Sequence, residues 1–359
     1  MISLAARFRA WNRTLDDPVD VRALAVLRIA IAPVVLLHLR PFLTAARDGI
    51  IYSDRFTLPF WAWYPELSRT AYVVLLWLIV ATALMLSLGL FTRTMAWLTA
   101  GGVAYNVFLS QIHFRHNRAF LIILLIGLAV LRSGRTMSLD AFLARRRGTP
   151  LESRGGSRLA LTVLRVEIAA VYLASGFSKL VDPDWWGGTV TRLRIERHRP
   201  RLSEVGIPDA IVDVLADPGF QAAAAKVLVL MELFIGLGLL VSRTRKSAIW
   251  VAIPFHVAIQ LSAAVQVFSM AALAALFVWV DAPARRRVVR VEKKWIAPIR
   301  WLDWTGRFRL VPSTSPMTVD GDGLSREGPS ARWFVLSRLP LTFWLAAPVQ
   351  LLRRSRSTG

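Results

Sequence analysis

Residues 71–90 read AYVVLLWLIVATALMLSLGL, twenty positions without a charged side chain. At 1.5 Å rise per residue such a helix is about 30 Å long, the thickness of the hydrocarbon core of a bilayer. A helix at the surface of a soluble protein keeps a polar face, and this one has none. The stretch therefore predicts a membrane-spanning helix. Working outward, apolar runs recur at 23–43, 94–111, 119–131, 159–177, 222–241, 246–263 and 267–280. Together they predict an all-α, polytopic integral membrane bundle of about eight transmembrane helices. A polar segment, 1–22, precedes it, and a basic tail, 282–359, follows.

Composition agrees. Of 359 residues, 55% are hydrophobic and 19% charged, against about 45–50% and 25% in soluble chains. Mean hydropathy is +0.48. There is no cysteine, which excludes disulfides, thiolate metal sites and thiol nucleophiles. The net charge is +22, and 40 of the 45 basic residues are Arg. In a soluble domain such an excess would point to nucleic acid, but that reading requires a clustered basic face. Here the arginines fall between the apolar runs, so no nucleic-acid partner is expected.

Their positions orient the chain. With the N-terminus in the cytoplasm, the inner segments hold Arg7, Arg9, Arg13 and Arg22, then Arg93. Arg132, Arg135, Arg145, Arg146, Arg147, Arg154 and Arg158 follow, then Arg243, Arg245, Lys246 and the run from Arg285. The outer segments interleave fewer cations with Asp48, Asp54, Glu66, Asp182, Asp184, Glu196 and Glu204. This is the positive-inside bias, and it predicts a multi-pass protein of the cell membrane with both termini cytoplasmic. The polar start ends in acidic residues near Asp20, and the first apolar run exceeds a signal h-region, so it reads as a retained span.

Two outer loops are long. Residues 47–70 contain Phe60-Trp61-Ala62-Trp63-Tyr64, and residues 180–221 contain Trp185-Trp186; such aromatics favour the headgroup zone. Residues 203–215 read as a short interfacial helix with Ile207, Ile211, Val214 and Leu215 on one side. In the tail, 318–328 reads as a hairpin. Residues 331–352 are apolar but interrupted by Arg338, Pro340 and Pro348, and read as a second interfacial helix.

Ionisable groups inside spans are costly, and each is a candidate functional residue. Arg28, Arg165, Glu167 and Glu232 are such groups. The structural reading is a set of interhelical ion pairs, most simply Glu232 with Arg28 or Arg165, since buried charges must be paired. His113 and His116 stand three apart beside Asn117, without the further ligands a metal would need, so no metal is expected. His256 lies mid-span with Gln260 one turn on and Gln266 beyond. Lys179 ends the fifth run. It reads either as a snorkelling lysine at a helix C-terminus or as a base with a depressed pKa. In the assigned topology Gln111, His116, Asn117, Lys179 and Gln266 reach the outer face, with His256 and Gln260 just below. That convergence predicts an outer-face pocket.

Four ordered stretches carry a resemblance. They are LAVLR (24–28), LSLGLFTR (86–93), HNRAFL (116–121) with MSLD (137–140), and Leu164-Arg165 through Tyr172 to SGFSKL (175–180) and Asp184-Trp185. MELFIGLGLL (231–240), and His256 before VFS (267–269), extend the series. The chain resembles the HTTM (horizontally transferred transmembrane) superfamily, which includes the vitamin K-dependent γ-glutamyl carboxylases. The likeness places the transmembrane domain at 23–281.

The resemblance implies quinone-dependent, epoxidase- or carboxylase-like chemistry on reduced vitamin K or menaquinone. Lys179 would be the base, and His116 and Asn117 would help hold the quinone oxygen. Gln111, Tyr172, Trp185, His256 and Gln260 would line the cofactor site, and a peptide or protein substrate would approach from the outer face. The lysine pair of the carboxylases is Ser178-Lys179 here. WLDWTGRF (301–308), the hairpin and GPSA (328–331) before LPLTFWLAAPVQLL (339–352) are similar to the thioredoxin-like DCC domain, without its cysteines. They imply a degenerate, redox-silent remnant. The alternative is a non-catalytic lipid-binding or peptide-maturation partner using the same pocket. A transporter would call for inverted repeats and paired broken helices, which are not seen.

Overall fold

The computed structural model describes residues 14–50, 58–112, 114–263, 266–281, 286–321, 324–340 and 342–343, without the side chains of residues 117, 262, 263, 266 and 324. His113 and the N-terminal arginines before residue 14 lie outside the described residues. The chain divides into two compact units, Met1–Trp279 and Val280–Gly359.

In the first unit each apolar run lies in a helix. α1 (Arg22–Arg47), α2 (Arg69–Leu88), α3 (Thr92–Phe108) and α4 (His116–Val130) are followed by the short α5 (Leu139–Arg146) and the long α6 (Arg158–Val181). Four short helices come next: α7 (Pro183–Trp186), α8 (Thr189–Arg197), α9 (Arg199–Glu204) and α10 (Asp209–Ala216). Then come α11 (Pro218–Leu240), α12 (Arg245–Ala263) and α13 (Gln266–Ala275), which continues as a 3-10 turn, Leu276–Trp279. α1, α2, α6 and α11 are long and apolar enough to cross a membrane. The sequence led to about eight spans, but length and composition support four. The 17 residues of α3 and 15 of α4 make helices of about 25 Å or less, short of a 30 Å core.

Sequential helices pack as neighbours, α1 on α2, α2 on α3, α3 on α4, and later α6 on α11 and α11 on α12. α13 packs against α1 and α4, joining the two halves of the bundle. A two-stranded antiparallel ribbon, β1 (Pro18–Asp20) with β2 (Arg154–Ser157), ties the start of α1 to the start of α6.

The same end of the bundle holds a buried cation. Arg28 has no solvent exposure. Its Nη1 donates to the carbonyls of Leu86 at 2.9 Å and Ser87 at 2.6 Å, and its Nη2 to Met137 at 2.5 Å. The last carbonyls of a helix have no intrahelical donor and carry the negative end of its dipole. Arg28 supplies the donor for α2. Gly89 ends α2 at φ 75°, and a Cβ there would stand 2.4 Å from Arg28 Nη1 and 2.3 Å from Ser138 Cβ. Asp140 answers the next helix. Its carboxylate accepts from Phe91 N and Thr92 N, each at 2.9 Å, at the start of α3. LAVLR, LSLGLFTR and MSLD are thus one structural node. The expected Arg28 ion pair is replaced by carbonyl contacts, because its depth matches the end of α2. Arg165 donates to the Val278 carbonyl, from Nε at 3.1 Å and Nη2 at 2.9 Å, and Glu167 is exposed.

The second unit contains the hairpin expected at 318–328, set in a small sheet with its own core. β3 (Arg287–Val291), α14 (Lys293–Leu302) and β4 (Phe308–Pro312) form a parallel crossover, followed by the hairpin β5 (Thr318–Gly321) and β6 (Leu324–Glu327). The sheet order is β4-β3-β5-β6. RVVRV (287–291) alternates, so Val289 and Val291 enter one core with Ile299, Phe308 and Val319. α15 (Gly328–Leu336) closes that core with Ala331, Phe334 and Val335. The interfacial helix read at 331–352 is corrected over its described part: the helix stops at Leu336 and turns its apolar residues to the sheet. Residues 344–352 lie outside the described residues.

Replacing Arg28 with Met keeps the bulk and removes the guanidinium donors from the carbonyls of Leu86, Ser87 and Met137. The expected cost is at least about 3 kcal/mol, read as a fall in thermal stability of the detergent-solubilised protein. An unchanged melting temperature would remove Arg28 from the framework.

Candidate functional site

The site begins with how closely α6 and α11 approach. A Cβ on Gly176 would lie 2.7 Å from Leu233 Cδ2, and one on Gly236 would lie 2.8 Å from Leu173 Cδ2 and 3.1 Å from the Ala169 carbonyl. Small residues at such a crossing let the backbones meet. The crossing fixes the register of two antiparallel helices and brings the end of α6 level with the middle of α11. Lys179 Nζ then reaches Glu232 Oε2 at 2.5 Å and Ser175 Oγ, one turn back, at 2.9 Å. The Glu232 side chain is 4% exposed and that of Lys179 19%.

The expected partners of Glu232 were Arg28 and Arg165; the partner is Lys179. Arg28 is held at the opposite end of the bundle, beyond reach of α11's middle.

The chain then turns sharply. Asp182 caps α7, accepting from Asp184 N at 2.9 Å and Trp185 N at 3.2 Å. The cap places the Trp185 ring 4.9 Å from Lys179 Nζ and 4.7 Å from Arg194 Cζ. Both are cation–π distances. α8, α9 and α10 form a cap with its own small core of Ile195, Leu202 and Val212. Gly188, at φ 85°, sits so close to α11 that a Cβ would be 2.5 Å from the Gln221 carbonyl carbon.

The interfacial helix read at 203–215 is two helices, α9 and α10. Gly206 at φ 84° and Pro208 separate them. Ile207 and Leu215 pack on the cap core, while Ile211 and Val214 are exposed.

Beneath the cap lies a cavity of about 690 Å³. α11 provides one wall from Phe220 to Glu232, and α12 another from Phe255 to Leu261. Cap residues including Trp185, Arg194 and Leu202 provide the roof. From Phe220 to Glu232 is 12 positions along α11, about 18 Å. The lining is largely apolar, and the Lys179–Glu232 pair stands at one end. Desolvation lowers the pKa of Arg194 from its ordinary value.

Of the site residues read from the sequence, Lys179, Trp185 and Glu232 meet on this cavity. Tyr172 and His256 form a second, buried contact, Tyr172 Oη to His256 Nε2 at 2.7 Å. His256 Nδ1 and Gln260 Oε1 are buried without a hydrogen-bond partner. Gln111 and His116 are elsewhere, and both are exposed. Gln111 Nε2 donates to the Pro59 carbonyl at 3.0 Å, and the His116 ring meets Phe114 edge-on at 5.1 Å. They flank a cluster of Phe60, Phe108 and Phe114 at the start of α4. The side chains of Asn117 and Gln266 lie outside the described residues. Convergence of helices from both halves on one pocket is therefore corrected. The cavity is built from α6, α11, α12 and the capping helices, because residues 180–221 fold inward.

Two site residues were missed. Ser175 carries a signal, its i−4 spacing from Lys179. Arg194 carries none, being one of several arginines in an irregular segment.

Helices long and apolar enough to cross a bilayer, packed as one bundle, define an integral membrane protein. A family model for the HTTM domain matches residues 16–283, and the chain belongs to that family. No curated protein and no solved structure matches it. Among the described residues, no group of three or more His, Asp or Glu is placed to hold a metal.

Lys179→Met leaves Glu232 as an unpaired buried carboxylate, at an expected cost of about 3–5 kcal/mol. The double variant Lys179→Met/Glu232→Leu is expected to recover most of it, measured by unfolding in detergent. A double variant no more stable than the single would show that the two side chains do not act as a pair.

Proposed function

We propose that this HTTM protein holds a reduced quinone, of the vitamin K or menaquinone type, in the cavity under the cap. Lys179 acts as the base in epoxidase- or carboxylase-like chemistry. One observation carries the reading: a largely apolar cavity of about 690 Å³ closes on a single lysine–carboxylate pair. A quinol is an apolar ring and tail bearing acidic hydroxyls, and it suits such a lining. Trp185, Phe220 and Phe255 would take the ring and chain; Lys179, with Ser175 and Glu232 behind it, would take the hydroxyl. When bound, the quinol supplies with dioxygen the oxidative driving force for making a strong base.

The chain's own contribution is positioning and proton transfer. Glu232 is placed to accept a proton from Nζ, which leaves an amine able to receive one from a ligand hydroxyl. Ser175 orients Nζ, and the cap excludes water. His116 is not given a role, since it lies outside the cavity lining.

The arginine pattern supports the orientation. Arg93, Arg132, Arg135 and Arg158 flank the end of the bundle that holds Arg28 and the ribbon, so that end is the cytoplasmic one. The shorter apolar helices, extended by the residues that flank them, would complete an eight-span bundle in the cell membrane, with the cavity facing the outer half. A peptide or protein substrate would approach from there. The crossover, hairpin and closing helix of the second unit support reading it as a shortened DCC-like domain without dithiol chemistry.

A non-catalytic, lipid-binding role is the second reading. It is favoured by the engagement of Nζ with Glu232 and Ser175, since a fully paired ammonium is not a base. To decide, the protein is purified in mild detergent, its lipids are extracted, and quinol-dependent oxygen uptake is measured. The expected result is one quinone per chain, with uptake reduced about a hundredfold or more in Lys179→Ala. Quinone retained without any uptake would select the second reading. Preparations devoid of quinone would overturn the first.

A further inference from the structure

The capping helices carry five arginines; two are matched, and among the described residues Arg194, Arg197 and Arg201 have no carboxylate within ion-pair distance, of which only Arg194 lines the cavity. Arg192 pairs with Glu196 at 3.3 Å, and Arg199 with Asp213 at 2.7 Å. The Arg194 guanidinium rests on the Trp185 ring, 4.7 Å from the centroid. Across the same ring stands Lys179, whose charge Glu232 balances at 2.5 Å. Arg194, exposed to solvent on its outer side, is thus the one charged group on the described lining without a carboxylate partner. Its other walls, Leu202, Phe220 and Leu228 among them, are apolar.

A cation at the edge of an apolar cavity, with no internal counter-charge, is complementary to a single anionic group on a hydrocarbon body. A guanidinium offers a planar fork that matches carboxylate and phosphate oxygens two at a time. We propose that Arg194 anchors the anionic head group of a single-chain amphiphile whose hydrocarbon fills the cavity. The inference rests on reading this cavity as a ligand site, not on chemistry at Lys179. Carboxylate and phosphate heads share the required chemistry, and the probes below separate them.

The test uses the full chain in a neutral maltoside detergent and measures equilibrium binding of tritiated hexadecanoate. Unlabelled hexadecyl phosphate and hexadecanol serve as competitors. Saturable binding of one hexadecanoate per chain is expected, displaced by an anionic competitor and not by equal hexadecanol. The potency of hexadecyl phosphate relative to unlabelled hexadecanoate identifies the preferred head group.

Arg194→Gln should weaken hexadecanoate binding by about tenfold or more, the worth of one charged hydrogen-bonded contact. Arg194→Lys, which keeps the charge and loses the fork, should fall between. Arg197→Gln, on the same helix but outside the cavity lining, controls for general loss of charge and should bind as the parent does. Hexadecanol competing as well as hexadecanoate, or an unaffected Arg194→Gln, would overturn the role of Arg194 and leave the cavity as a ligand site. Absence of saturable hexadecanoate binding by protein stripped of its quinone, where the unstripped preparation yields stoichiometric quinone, would overturn this inference alone. Absence of both would overturn it together with the quinone reading.

Discussion

Arg28 carries a positive charge into the bundle with no exposure to solvent, and a guanidinium so placed needs acceptors from the protein itself. It takes them from the end of α2 and from Met137, the residue before the α5 cap. Three connections are fixed at once. α1 must run antiparallel to α2, the turn through Gly89 must be tight, and the 137–140 segment must lie across it. Asp140 then caps α3 from the other side of the same turn. Neither charge finds a carboxylate or cation as its main partner. Both are solvated by peptide groups, which a helix terminus supplies without extra side chains.

The second half of the bundle meets the same constraint differently. Lys179 stands in the last turn of α6 and Glu232 in the middle of α11, and the two side chains answer one another. Contact between them depends on Gly176 and Gly236, because any Cβ at those positions would hold α6 and α11 apart. The glycines set the distance and register, and the ion pair follows. Since α6 packs on α11 from Glu232 onward, the preceding part of α11, from Phe220, is left facing a void. The capping helices enclose that void. The cavity is thus a geometric consequence of the offset between two helices of nearly equal length, 24 and 23 residues.

Hydropathy is a local property, and every apolar run read from the sequence is a helix here. Lys179 and Trp185 were legible because both sit in one short motif, SGFSKL followed by Asp184-Trp185. Glu232 was legible as a buried charge but not as the partner of Lys179, since that pairing depends on the register of two helices 53 residues apart. The cap was misread as a surface helix because Ile195, Leu202 and Val212 are spread over three short helices broken by turns. No single amphipathic period links them. The second unit was obscured by its arginines. RVVRV alternates as a strand should, but its composition resembled a solvated tail. Assigning His116 to the pocket came from counting membrane depth alone, which says nothing about the position of a helix around the bundle.

A buried ion pair contributes little net stability over two well-packed apolar residues, because desolvating both charges offsets most of their attraction. At the crossing of α6 and α11, leucine-sized side chains would serve packing as well. What the pair provides that they would not is polarity at one end of an otherwise oily space, with two charged groups 2.5 Å apart. The indole of Trp185 extends this polar end, since its face lies against Lys179 on one approach and Arg194 on another. Each cation alone would be costly beside hydrocarbon. Grouped around one ring, with Glu232 answering Lys179, they leave Arg194 as the one charged group on the described lining without a carboxylate partner. An apolar molecule with one acidic or anionic end completes that arrangement in a way that neither a neutral lipid nor a cation can.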